Sequence, residues 1–119
     1  MIKARFYVNK GALCLKVEGH AEAGPKGHDA VCAGASVLSA TLADVVSIMG
    51  NHGELEKDPV IRMREGFANV KAKPTEAGKG KLLLAFSVIE TGMCAIARNY
   101  PEYITVKLFD KPEIEGFSK

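Results

Sequence analysis

The sequence predicts an α+β fold: a mixed sheet with two helices packed on one face, in the order ββαββαβ. Three observations carry that expectation. The opening run IKARFYVN alternates apolar and polar side chains with a period of two, the signature of a half-buried strand. From Asp29 onward the apolar residues recur every three or four positions instead, through Val31, Ala35, Leu38, Leu42, Val45 and Met49. The same switch from strand period to helix period occurs again in the second half, before a last alternating run. Paired strands punctuated by single helices favour helices segregated to one side of a sheet.

In the first strand Ile2, Ala4, Phe6 and Val8 face inward, and Lys3, Arg5 and Tyr7 face out. Asn9-Lys10-Gly11 reads as a tight turn, after which ALCLKVEGH resumes the alternation with Leu13, Leu15 and Val17 inward. These two strands form a hairpin. The first helix is expected to open on Asp29 as its N-cap and to stop at Gly50. A second hairpin follows from ELEKDPVIRM and FANVKAK around Arg64-Glu65-Gly66, with Pro59 placing the first of the pair at an edge. The second helix starts after Pro74, carries the stripe Leu82/Leu83, Phe86, Ile89, Met93 and Ile96/Ala97, and ends before Pro101. EYITVKLF is the last strand, with Ile104, Val106 and Leu108 on one face. Residues 1–109 make a single domain, and 110–119 form a loosely ordered tail without periodicity.

A chain of 119 residues, 47% hydrophobic and 25% charged, can build a packed core without disulfide or metal staples. Its 16 basic and 14 acidic side chains give a formal charge of +2, too balanced to argue for nucleic acid or a membrane surface. The opening MIKARFYVNK alternates and is not the apolar run of a signal peptide. No uninterrupted apolar run approaches the roughly 18 residues that span a bilayer. The three cysteines, Cys14, Cys32 and Cys94, lack CxxC spacing, so neither a disulfide framework, a zinc site nor any other metal or cofactor is expected. A reduced, cytoplasmic protein is the reading that fits.

The segment from Val17 to Val46 is where chemistry can sit. A cysteine three residues into a helix lies beside unsatisfied backbone N–H groups, which favour thiolate over thiol and can steady an oxyanion. Cys32 has that placement if Asp29 is the cap; the plain alternative is a small packed thiol. A nucleophile also needs a base. His20 closes the second strand across the intervening loop, but by parity with Lys16 and Glu18 it should leave on the side away from the core. A solvated strand-end histidine is the competing reading. His28 and His52 are weaker candidates, Cys14 is too far along His20's own strand to pair with it, and Cys94 sits inside the second helix. The loop AEAGPKGH lacks the phosphate-binding spacing and reads either as a flexible lid or as a solvent loop.

GHA at 19–21 and GHDAVCAGAS at 27–36 resemble the G-H-A…G-x-D-[IV]-V-C-A-x-x-S signature of the ribosomal-processing cysteine proteases called Prp, the YsxB-like family. The likeness extends to the first hairpin, to NYPEYITVKL and to the total length. It implies a cysteine endopeptidase that removes the N-terminal extension of large-subunit ribosomal protein twenty-seven, a homodimer with a cleft for extended peptide. On that likeness Cys32 is the nucleophile and His20 its base, with Asp29 and Ser36 in support. Gly19, Gly24 and Gly27 give a gating loop its freedom. Ala30 and Gly34 depart from the bulkier residues usual in the family, and Pro25 and His28 are uncommon in the loop. Two other classes compete: a non-catalytic, ribosome-associated module that only grips a peptide, and a thiol redox sensor built on Cys32, which lacks a resolving cysteine nearby.

Overall fold

The computed structural model describes residues 1–9, 11–20 and 25–110, with the backbone alone for 25–29. The elements run β1 (Ile2–Asn9), β2 (Ala12–Glu18), α1 (Pro25–Asn51), β3 (Val60–Arg64), β4 (Phe67–Ala72), α2 (Lys79–Asn99) and β5 (Ile104–Asp110). One five-stranded sheet has the order β3-β4-β2-β1-β5. Both hairpins and the β2–β4 pairing are antiparallel, and β5 joins β1 in parallel. The mixed α+β architecture expected from the sequence is therefore the one observed.

Alternation in the strands sorts the side chains as the period of two requires. Ile2, Ala4 and Phe6 of β1, Leu13, Leu15 and Val17 of β2, Ala68, Val70 and Ala72 of β4 and Ile104 of β5 all point into one buried cluster. Both helices supply the other side of that cluster. Val31, Ala35, Leu42, Val46 and Met49 come from α1, and Leu82, Phe86, Ile89 and Met93 from α2. The rings of Phe6 and Phe86 meet edge to face at 5.2 Å, tying β1 to α2. Leu83 and Leu108 fall outside the core, since both are well exposed. Pro59 lies just before β3, which is an edge strand, so its missing N–H interrupts no ladder.

Two glycines let the helices approach one another. A Cβ on Gly34 would lie 2.9 Å from Cδ1 of Ile96, and one on Gly92 would lie 3.0 Å from both Cδ atoms of Leu38. Each helix thus offers a notch that receives a branched side chain of the other. By length and composition both helices are apolar enough to cross a membrane, over Ala30–Asn51 and Lys79–Asn99. Glycine, serine, threonine and the charged Asp44 and Glu90 interrupt their apolar runs. In this fold each lays one stripe on the sheet, while Val37 and Ile48 of α1 and Leu84 and Val88 of α2 are over half exposed on the outer side.

The start of α1 differs from the expectation. The helix begins at Pro25, so Asp29 is its fifth residue and not its N-cap. Proline is well suited to the first helical position, where its fixed φ is already helical and no N–H is needed. The tail 111–119 lies outside the described residues.

Candidate active site

Strand β2 runs to Glu18, and the chain then turns at Gly19 with φ of +105°. That left-handed backbone breaks the alternation of the strand, and a side chain here would collide with the carbonyl oxygen of Met1. The Gly19 N–H donates to the carbonyl of Gly66 at 3.0 Å. The Met1 ammonium donates to the carbonyl of His20 at 2.6 Å. His20 is thereby held from two sides through the main chain.

The parity reading of His20 is overturned by this turn. Instead of turning to the outer face of the sheet, His20, itself exposed, lines an open cavity together with Ile2, Val17 and Cys32. Its imidazole lies against the β3–β4 turn. A Cβ on Gly66 would be 2.5 Å from Nε2 and 2.7 Å from Cε1, so a side chain there would displace the ring. Gly66 also has φ of +75°, as the two-residue connection between β3 and β4 demands.

Cys32 reaches the same cavity from α1. It is half-buried, packed against the edge of the core cluster, and a free thiol. Because α1 begins at Pro25, Cys32 is well inside the helix and not at its third position. The unsatisfied N–H groups belong to the first turn, so the helix-start arrangement expected for Cys32 is absent and its own N–H falls in the helical ladder. Ser36, one turn on, is exposed and lines the cavity beside it. Buried Ser39 also reaches it, with its hydroxyl donating to the carbonyl of Ala35 at 2.8 Å.

The cavity holds about 320 Å³, within the range of sites that accept a few residues of a ligand. Its far wall is the β3–β4 hairpin, from Met63 through Arg64, Glu65 and Phe67 to Ala68. Sequence reading missed this wall. The only signal for it was the turn Arg64-Glu65-Gly66, and nothing local to that turn says it faces His20.

The remaining candidates separate cleanly. Gly27 and His28 belong to the first turn of α1 and not to a loop, and Gly24 lies outside the described residues. Nothing is described for the Asp29 side chain. His52 is exposed beyond the far end of α1, twenty residues from Cys32, or about 30 Å along a helix. Cys14 lies on the opposite face of the sheet, with its thiol 3.5 Å from Oδ1 of Asn69. Cys94 is partly buried in α2. Among the described residues no three His, Cys, Asp or Glu side chains gather as a metal site would require.

Known proteins share this fold. The chain is similar to SMU.848 from Streptococcus mutans, with 29% identity, a TM-score of 0.68, and coverage of 93% of this chain and 96% of that one. The fold is shared with an essential ribosomal processing protease Prp from S. aureus, solved with a covalently linked product peptide. There the identity is 23%, the TM-score 0.66, and coverage 92% of this chain and all of the other. The same S. aureus protease in complex with a substrate peptide matches with 22% identity and a TM-score of 0.66. No curated protein sequence matches significantly. The family described as cysteine protease Prp matches residues 1–105, nearly the whole described chain, and the protein therefore belongs to that family of cysteine proteases.

Proposed function

We propose that this protease uses Cys32 as nucleophile and His20 as general base to remove an N-terminal extension from large-subunit ribosomal protein twenty-seven. The observation that carries the reading is the convergence, among the described residues, of one thiol and one imidazole on one open cavity: Cys32 and His20 line it together. In S. aureus a protease of the same fold is a ribosomal processing enzyme that holds a substrate peptide. That likeness supports the ribosomal substrate, and the sequence signature around Cys32 supports the choice of protein.

The chemistry is acyl transfer to sulfur. His20 takes the thiol proton of Cys32, and the sulfur attacks the scissile carbonyl carbon to give a tetrahedral oxyanion. Collapse breaks the C–N bond, and the imidazolium returns its proton to the leaving amine. A water, deprotonated by His20, then attacks the thioester and releases the extension with a free carboxylate. With α1 beginning at Pro25, the donors for the oxyanion come from groups around the cavity other than the first turn of the helix. Ser36 is placed to support substrate or sulfur, one helical turn from Cys32. Asp29 supports the site by its match to the family signature.

The enzyme works in the cytoplasm, where its substrate is made and free thiols persist. It acts as a homodimer, and the exposed outer face of Val37, Ile48, Leu84 and Val88 is a surface that a second copy could cover. An extension peptide ending in a chloromethyl ketone in place of the scissile amide, which alkylates a thiolate irreversibly with loss of chloride, tests the assignment. Peptide mapping by mass should find the adduct on Cys32 and on neither Cys14 nor Cys94, and an adduct on another cysteine would refute it.

A further inference from the structure

The side of the sheet turned away from the helices and the cavity is chemically one-sided. Strand register places Lys3 and Arg5 of β1, Lys16 of β2, Arg62 and Arg64 of β3 and Lys107 of β5 on that face. Glu18 is the one acidic strand residue among them, and Arg5 and Lys16 share it at 3.1 and 3.6 Å. The formal charge of +2 conceals this segregation, because among the described residues the only other strand carboxylate, Asp110 at the end of β5, pairs in register with Val8 and so lies on the other face. A total charge is a sum, whereas a polyanion meets one face at a time.

The face also has a shaped hollow. Lys3, Arg5, Thr105, Lys107 and Phe109 surround a depression of about 430 Å³ between β1 and β5. The Phe109 ring is partly exposed and is held by stacking on Tyr7, with centroids 5.2 Å apart and planes 21° from parallel. Cations flanking a fixed aromatic ring on an open sheet are the chemistry that takes up a single strand, phosphates on the charges and a base on the ring. A membrane would demand protruding apolar groups in place of a hollow, and carboxylates alone would engage the cations and leave the ring unused.

We propose that this face binds single-stranded RNA, with phosphates on Lys3, Arg5 and Lys107 and one base stacked on Phe109. The surface lies opposite the cavity of Cys32, so RNA and peptide can be held at once. The choice of RNA over DNA rests on the ribosomal substrate proposed above; the surface itself does not depend on it.

Fluorescence anisotropy of the full chain with a labelled oligouridine tests the proposal, and cleavage of a short peptide is followed separately. The wild type should bind with a salt-dependent affinity. Replacing Lys3 and Lys107 together by alanine should flatten the slope of log K against log salt by about 1.4, as removal of two phosphate contacts requires. Phe109→Ala should weaken binding about tenfold through lost stacking. Both variants should cleave the short peptide like the wild type. No binding at low salt would overturn the proposal, as would an unchanged salt slope in the double variant. Equal binding to phosphatidylglycerol vesicles or heparin, insensitive to Phe109→Ala, would also overturn it and leave a general polyanion surface. Because RNA is read without the peptide, loss of cleavage in the wild type bears on the catalytic assignment alone.

Discussion

The imidazole of His20 sits against the Cα of Gly66, so closely that a Cβ there would approach Nε2 to 2.5 Å. Gly66 belongs to the β3–β4 turn, which is also the far wall of the cavity that contains Cys32. The hairpin therefore positions the base as well as shaping the cleft.

Gly66→Ala should push the ring from its seat and lower kcat by about 10–100-fold, since small displacements of a catalytic group have effects of that size. The left-handed backbone adds a stability loss of about 1 kcal/mol whatever the neighbours. Gly11 separates the two effects. It has φ of +88° with open space where a side chain would go, so Gly11→Ala should lose similar stability and keep its activity. Urea denaturation and initial rates on both variants check this.

Asp29→Ala should cost well under the ~1 kcal/mol that loss of a true N-cap costs, because the helix starts four residues earlier. A shift in urea midpoint equivalent to a full cap would instead mean that α1 begins at Asp29 in solution.

Between the helices, Gly34→Ala sets two effects against each other. Alanine favours the helix by about 1 kcal/mol over glycine. Its Cβ, however, would lie 2.9 Å from Ile96 in a packed interface, and overpacking of this kind costs about 1–3 kcal/mol. The expected outcome is net destabilisation, relieved in the double variant with Ile96→Val. A thermodynamic cycle on the four proteins measures that coupling.

Phe6→Ala should destabilise the fold by about 3–5 kcal/mol, because Phe6 is fully buried and its ring contact with Phe86 is lost with it. Chemical denaturation gives the figure directly.

Much of this fold was legible because burial and period agree. Ile2, Ala4 and Phe6 alternate with Lys3 and Arg5 and are buried as the alternation says, and Val31, Ala35 and Leu42 trace the helical stripe. What the sequence obscured arose where one residue overrides a period. Gly19 reverses the side on which His20 emerges, a matter of a single φ angle. The start of α1 was misplaced because Asp29 is a good cap in isolation, while Pro25, an equally good first residue, opens the helix earlier. The wall from Met63 to Ala68 and the basic sheet face are long-range facts, set by which strands become neighbours. Cys32 and His20 were individually visible in the sequence, but their sharing of one cavity was not.

The central claim is that Cys32 and His20 act as nucleophile and base on the ribosomal protein's extension. The most direct measurement incubates wild type, Cys32→Ala and His20→Ala with the N-terminal peptide of that protein and reads the products by mass. Wild type should yield one cut, Cys32→Ala none, and His20→Ala almost none, with all three showing the same circular dichroism. Cleavage by Cys32→Ala at the wild-type rate would contradict it.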